Sequence, residues 1–379
     1  MRLPLAIVFA LFVFVDAAQS QSANDVSSGK SRKESPSSRT SGCVRLSDST
    51  RHKMDQSVLD AYIRANNNFS INMFHELYST PLSDAIDDQV NLVFSPHSIW
   101  QAVVLSYLVS GGRMEEALQR SLGVSELGKL KVLMAYKALK YFDKIVMNER
   151  QQGSPPPPQP PLAPDHHVAQ HLKASVPEVT RGKINDWVSR VTRGKIPELL
   201  SSDAVSPATI MALVNAAYFK GKWLNQFAAE DTDPATFILD NAARDMITVP
   251  TMKLRDALLP VGVSETLKAT VVELPYASGD GNDLSMYVIV PASSPGWNLD
   301  DVLERFSVES FAQARDSVVR RDVNLLTLPK FKIETTFELL RPLNNLGLGS
   351  MFVPAEADFG CLSANLTSMA FSVAQLVRH

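Results

Sequence analysis

Four lysines recur along one predicted helix at spacings that bring their side chains close to one face. The helix is predicted over 125–150, and the lysines follow one another after eight, three and four residues: Lys129, Lys137, Lys140 and Lys144. Residues at such spacings share a helix face, so four ammonium groups could bind a heparin-like sulfated polysaccharide. The alternative is an ordinary solvated face, which most runs of charge form, and Glu126 and Asp143 lie nearby in the sequence.

A histidine cluster follows a proline-rich stretch. His167 and His171 are four residues apart, and Asp165 and His166 lie beside them. On a helix this spacing would place two imidazoles on one face, as a metal site requires. No third ligand lies at a usable spacing, so we expect an exposed, unliganded cluster, with no bound metal and no other cofactor.

The sequence contains none of the common catalytic motifs. It has no G-x-S-x-G nucleophile elbow, no G-x-x-x-x-G-K-[ST] phosphate loop and no H-E-x-x-H zinc motif. The pair Gly347 and Gly349 follows a helix-like segment, and we interpret Gly347 as the C-cap of that helix. We therefore predict that the protein is not an enzyme, and a hydrolase is the function that the sequence favours least.

The overall composition excludes several classes of protein. With 37 Lys+Arg against 40 Asp+Glu the net charge is −3, so neither nucleic acid nor an anionic membrane is indicated as the main partner. The 45% hydrophobic and 20% charged residues are typical of a globular chain. Its two cysteines, Cys43 and Cys361, are too few for an all-thiolate zinc site and can form at most one disulfide.

The first twenty residues have the pattern of a secretory signal peptide. Arg2 precedes an apolar run over 3–15, and small residues follow where a signal peptidase would cut. That run is too short to span a membrane, and no later segment is longer, so we expect a secreted, extracellular protein. Two N-x-S/T sequons, at Asn68 and Asn365, are then candidate sites of N-glycosylation.

Three further segments follow the signal peptide. Residues 21–53 are rich in serine and basic residues and poor in large apolar side chains, which predicts a disordered tail. From Asp55 apolar residues recur at spacings of three and four up to Leu77, which predicts a long amphipathic helix at the start of a folded domain, 54–379. A proline-rich linker over 151–164 interrupts this domain, because seven prolines there exclude helix and interior strand.

Helical patterns dominate the first half of the domain and strand patterns the second. Helices are predicted over 55–80, 96–110, 113–122, 125–150, 184–191, 299–306 and 308–317, and strands over 91–94, 210–219, 271–274 and 285–290. There is no regular alternation of strand and helix, so the fold class is predicted to be α+β rather than a doubly wound sheet.

Seven short motifs carry a family resemblance through their order along the chain. They are FSPHSI (94–99), KINDWV (183–188), VNAAYFKGKW (214–223), ELPY (273–276), LSM (284–286), LPKFKI (328–333) and ADF (357–359). In this order they resemble the serpins, from about residue 54 to the last residue. The resemblance implies three sheets, eight or nine helices and the inhibition of a serine protease. After cleavage, the exposed reactive loop of such an inhibitor inserts into the large sheet as a new strand.

The resemblance also assigns roles to individual residues. A buried polar cluster holds the centre of the large sheet in serpins, and the matching residues here are Ser95, Ser98, Asn215 and His379. Trp223 matches the tryptophan at the top of that sheet, where insertion begins. When such a cluster loses a partner, a buried polar group is left without a hydrogen bond, which costs about 1–3 kcal/mol of stability. The cluster can therefore act as a latch that keeps the sheet closed.

The sequence departs from the family pattern in two places. Serpins continue past the histidine that matches His379 into a reactive loop and apolar strands, so we expect a truncated serpin-like chain without that loop. Most of a strand, a helix and an edge strand are also expected to be missing between Arg150 and Lys183, where the proline linker lies. The alternative function is a non-inhibitory binding protein, with the lysine face as a polysaccharide site.

Overall fold

In the computed structural model, the described residues are 8–10, 43–44, 55–79, 92–149, 168–171, 177–202, 204, 211–214, 221–238, 245–277, 284–292, 298–353, 355–361, 371–372 and 374–378. The helices are α1 (Gln56–Ser79), α2 (Pro96–Val109), α3 (Gly112–Ser121), α4 (Gly128–Glu149), α5 (Pro177–Val191), α6 (Leu299–Glu304), α7 (Val308–Asp316) and α8 (Leu340–Asn345). The strands are β1 (Val8–Ala10), β2 (Val168–His171), β3 (Met211–Val214), β4 (Asp233–Ile238), β5 (Met246–Ser264), β6 (Ala269–Pro275), β7 (Ser285–Pro291), β8 (Val319–Pro329), β9 (Glu334–Glu338), β10 (Phe371–Ser372) and β11 (Ala374–Arg378). Helices come mainly first and strands mainly later, as predicted.

The N-terminal helices enclose the largest hydrophobic core. Trp100 of α2 is fully buried, and its ring lies 5.6 Å from that of Tyr62 and 5.4 Å from that of Phe69, both on α1. These α1 residues belong to the apolar face that the spacing of three and four residues predicted. Packing of this face against α2 therefore fixes the two helices side by side.

The start of α2 follows the local rules of helix capping. Ser95 is the N-cap residue and Pro96 occupies the first turn, which agrees with the helix predicted over 96–110. The strand predicted over 91–94 is wrong in its described part, because Leu92–Phe94 form no strand. Leu92 and Phe94 instead pack on the helical core, so their apolar character reflects burial beside the helix rather than pairing in a sheet.

A six-stranded sheet carries the second half of the chain. Its order is β1-β7-β6-β5-β4, with β8 paired to β5. β6 and β7 contain the strands predicted over 271–274 and 285–290. Their side chains alternate in direction: Val271 and Ile289 face α6 and α7, whereas Val272 and Val288 face a second core on the other side.

The N-terminal apolar run contributes the edge strand of this sheet. Val8 pairs with Ile289 and Ala10 with Tyr287 in an antiparallel ladder. These residues lie within the segment predicted to be a signal peptide. The structure therefore shows that the outer edge of β7 accepts an apolar strand.

Two smaller sheets lie elsewhere in the fold. One has the order β10-β3-β2, and the other consists of β11 and β9. β2 shows that one strand is present in the block expected to be mostly missing before Lys183. It also corrects the helical face considered for His167 and His171, because Val168–His171 is a strand. Residues 165–167 lie outside the described residues, so the structure places His171 alone of the pair.

A disulfide joins Cys43 to Cys361 across 318 residues of sequence. Val44 packs against the helical core next to it. The prediction of a disordered tail over 21–53 is therefore wrong at Cys43 and Val44, because a covalent bond and an apolar contact hold them on the domain.

Candidate functional site: the sheet junction

The strand segment 371–378 touches both small sheets. At its start, Phe371 and Ser372 of β10 pair in parallel with Met211 and Ala212 of β3. From Ala374 to Arg378, β11 pairs antiparallel with β9. The segment thus changes its neighbour within a few residues, and we call β3, β10 and β11 together the sheet junction.

The junction opens on the side of β3 that faces away from β2. The ladder between β2 and β3 runs through Leu213 and Val214, which pair with Ala169 and Val168. On the opposite side, the described pairs of β3 end at Ala212, and β11 already pairs with β9. Strand backbone groups need partners, so the β3 edge beyond Ala212 and the β11 edge away from β9, which carry no described strand pair, are the places at this junction where an additional strand can bind.

Two members of the predicted polar cluster meet at the start of α2. The Ser95 hydroxyl donates to the Ser98 hydroxyl over 2.8 Å, and the backbone N–H of Ser98 lies 3.4 Å from Ser95 Oγ. Ser98 is buried. Asn215 and His379 lie outside the described residues, so the four-residue cluster stays a prediction.

Trp223 joins the chain after β3 to the end of β6. Its ring stacks on that of Tyr276, and its backbone forms an isolated bridge to the same residue. On either side, the Leu224 N–H donates to the Pro275 carbonyl over 2.8 Å and the Ala277 N–H donates to the Lys222 carbonyl over 2.7 Å. The tryptophan singled out by the motif therefore fastens the segment 222–224 to the end of β6 in the large sheet.

The predicted lysine face is wrong at Lys129. Its side chain is only 3% exposed, and its ammonium lies 2.8 Å from Glu115 Oε2. The face of α4 that carries Lys129 also carries the buried Val132 and Tyr136, so it packs inward. Lys137 is partly buried, and the side chains of Lys140 and Lys144 lie outside the described residues.

The two sequons differ in what the structure shows of them. Asn68 is exposed on α1, whereas Asn365 lies outside the described residues. The hydroxyl of Ser70, which completes the first sequon, is buried and donates to the Asn66 carbonyl over 2.7 Å. Glycosylation at Asn68 therefore has room at the surface and stays a prediction.

Among the residues that the structure describes, no group of three or more His, Cys, Asp or Glu side chains is arranged to hold a metal ion. Within the same ranges, no helix combines the length and apolar character needed to cross a membrane.

The sequence analysis did not identify Tyr276 as the partner of Trp223 or Glu115 as the partner of Lys129. Tyr276 lies in the ELPY motif, so the motif itself contained an aromatic candidate for Trp223. Glu115 lies 14 positions before Lys129, and no local pattern connects residues on two different helices.

Known proteins resemble this chain over much of its length. A family model described as "Serpin (serine protease inhibitor)" matches residues 166–376. Serine protease inhibitor 88Ea of Drosophila melanogaster is 30% identical over 334 residues, covering 80% of this chain and 75% of that protein. The leukocyte elastase inhibitor of Sus scrofa is 38% identical over 185 residues, which cover 48% of this chain and 47% of that protein.

Solved structures show the same fold. Cleaved Serpin 42Da superposes with a TM-score of 0.62 at 26% identity, over 80% of this chain and 79% of that one. Maspin superposes with a TM-score of 0.68 at 20% identity, over 85% of this chain and 87% of that one. The likeness to maspin concerns the fold alone.

Proposed function

Because the chain belongs to the serpin family, whose members are typically inhibitors of serine proteases, we propose that it inhibits a serine protease outside the cell. The observation that carries this proposal is the sheet junction. An inhibitor of this type must accept a new strand in a sheet that is already folded. The edge of β3 away from β2 and the edge of β11 away from β9 would provide backbone groups for such a strand.

Three features support an extracellular site of action. The N-terminal segment has the pattern of a signal peptide, and Asn68 of the first sequon is exposed. The Cys43–Cys361 disulfide suits an oxidising compartment, because disulfides persist in secreted proteins and are rare in the cytosol.

The proposed mechanism uses the junction as the site of the trap. By the family resemblance, the segment that a protease cleaves follows the strand that corresponds to β11. Once cut, this segment would enter between β3 and β11 and gain ladder hydrogen bonds on both sides. Each such bond contributes about 1 kcal/mol net, so a strand of several residues makes insertion strongly favourable.

A protease panel tests the proposal. The full-length product of the transcript is incubated with trypsin-, chymotrypsin- and elastase-like proteases. We expect this transcript product to give a covalent complex at the summed mass on denaturing electrophoresis.

The same denaturing gel provides the control and shows the outcome that would contradict the proposal. A protease whose catalytic serine has been blocked should give no complex, since the covalent bond forms at that serine. If the transcript product is cut by every protease without a complex and without loss of protease activity, the inhibitory function is wrong. That outcome would leave the non-inhibitory binding protein as the function of the fold.

A further inference from the structure

The two cysteines of the Cys43–Cys361 disulfide differ in their exposure to solvent. Cys43 is exposed to solvent, whereas Cys361 is partly buried. A thiol from solution can therefore reach the sulfur of Cys43 more easily than that of Cys361. In disulfide exchange the attacked sulfur keeps the new partner, and the other sulfur leaves as a thiolate.

The buried ammonium of Lys129 lies beside the sulfur of Cys361. Lys129 Nζ donates to the Ser110 carbonyl over 2.6 Å and lies 2.8 Å from Glu115 Oε2. Its third contact is a longer one, 3.9 Å, to the Sγ of Cys361. An ammonium group has three N–H donors, so it can serve all three of these acceptors at once.

The charges around Cys361 favour a thiolate there. Lys129 faces the sulfur from α4, and Glu115 of α3 forms an ion pair with the same ammonium. Asp358, in the same segment as Cys361, accepts a hydrogen bond from the Gly360 N–H through its carboxylate. Among the described residues, the positive group is thus the one in contact with the sulfur, and a neighbouring ammonium lowers the pKa of a thiol.

We propose that the Cys43–Cys361 disulfide is a thiol-exchange site for small thiols of the glutathione class. The thiolate attacks the Sγ of Cys43, a new S–S bond forms there, and the Cys43–Cys361 bond breaks. The electron pair of that bond stays on Cys361, whose thiolate Lys129 stabilises. The product carries the small thiol on Cys43, and a second small thiol can then release it as the oxidised dimer.

The first experiment determines which sulfur is attacked. The full chain is treated with reduced glutathione, quenched with N-ethylmaleimide and digested for peptide mass spectrometry. We expect glutathione on the peptide of Cys43 and maleimide on the peptide of Cys361. Glutathione found mainly on Cys361, or equally on both, would overturn the proposal.

The second experiment tests the role of Lys129 through the rate of exchange. Lys129→Met removes the charge at similar length and should slow formation of the mixed disulfide about threefold, because the leaving thiolate loses its stabilising partner. Glu115→Gln should accelerate it, because the ammonium then has one anionic partner fewer. Lys131→Met is the matched control, since Lys131 is exposed on the same helix, and should react like the unmodified protein.

A third readout keeps the test decisive if Lys129→Met does not fold. Lys129→Arg retains the charge and should keep the rate within about twofold of the unmodified protein. In a Cys43→Ser background, the pH dependence of Cys361 alkylation reports its thiol pKa directly, and Glu115→Gln should lower it. An unchanged or faster exchange in folded Lys129→Met, or an unchanged pKa in Glu115→Gln, would contradict the role of Lys129.

Discussion

The ring of Trp223 stacks on the ring of Tyr276, with centroids 4.4 Å apart and planes inclined by 16°. Trp223 belongs to the segment that follows β3, and Tyr276 directly follows the strand β6. This pair and its two flanking backbone hydrogen bonds attach the segment 222–224 to the end of β6 in the large sheet. A change in the pair should therefore loosen this attachment.

Trp223→Ala should lower the free energy of unfolding by about 2 kcal/mol, because an aromatic pair and a half-buried apolar surface are both lost. Trp223→Phe should retain most of that stability. Denaturant unfolding measures the change, and hydrogen exchange should show faster exchange at the amides of Leu224 and Ala277.

The matched control for this pair is Trp187→Ala, which removes a partly buried tryptophan from the separate cluster around α5. It should leave exchange at Leu224 and Ala277 unchanged. Equal acceleration of these two amides in both variants would mean that Trp223 acts on global stability alone.

Tyr107 should make the protein sensitive to alkali. Burial raises its pKa from 10.0 to about 12, and the charge of Glu115 adds to the effect. The folded state therefore holds a proton that the unfolded state loses at lower pH. The stability that this proton contributes should be fully present below about pH 10 and fall as pH rises from there towards 12.

Tyr107→Phe should remove this alkaline loss. The Tyr107 hydroxyl is buried without a hydrogen-bond partner among the described residues, so the variant should also gain about 1 kcal/mol at neutral pH. Urea unfolding at neutral pH and at about pH 11 measures both effects. A variant as sensitive to alkali as the unmodified protein would show that another group carries the alkaline transition.

Gly347→Ala should destabilise the protein by about 1–2 kcal/mol. Gly347 has φ +79° just after α8, and an added Cβ would lie 2.7 Å from the Ser121 hydroxyl oxygen. Gly182→Ala is the opposite control, because Gly182 lies within α5 and its added Cβ would meet nothing within 4 Å. That control should stabilise the protein by up to about 1 kcal/mol, measured by thermal unfolding. Equal effects of the two substitutions would contradict the role of Gly347 as a C-cap.

Lys129→Ala should not change the salt concentration at which the protein elutes from immobilised heparin. Its ammonium is buried against Glu115 and cannot reach a polyanion. If α4 binds heparin at all, Lys137→Ala should lower the eluting salt concentration, because each lost contact reduces counterion release. The predicted four-lysine face would be restored if folded Lys129→Ala protein eluted at a salt concentration lowered as much as that of Lys137→Ala.

Local signals made the helices predictable. The cap Ser95 and the proline after it fixed the start of α2, and Gly347 marked the end of α8, because such signals depend on a few adjacent residues. Lys129 could not be placed by the same means. Its helix has apolar residues on the same face, but only the fold brings Glu115 and Ser110 to its ammonium.

The candidate site was predictable only through ordered motifs. Ser95, Ser98 and Trp223 were found because of their neighbours in the sequence, and not because of any pattern that reveals contacts. The sheet junction joins Ala212 to Ser372, far apart in the sequence, and strand pairing at such distance leaves no local signature. The pairing of Cys43 with Cys361 stayed open for the same reason.

Hydrogen exchange at the sheet junction tests the central claim, that a cleaved segment enters between β3 and β11. The transcript product is compared before and after reaction with the protease that it inhibits, and the amides of Met211–Val214 and Ala374–Arg378 are followed. We expect slower exchange after the reaction at those amides that face away from β2 and β9, because the inserted strand accepts their hydrogen bonds. Unchanged exchange at both strands, with a covalent complex present, would contradict insertion at this junction.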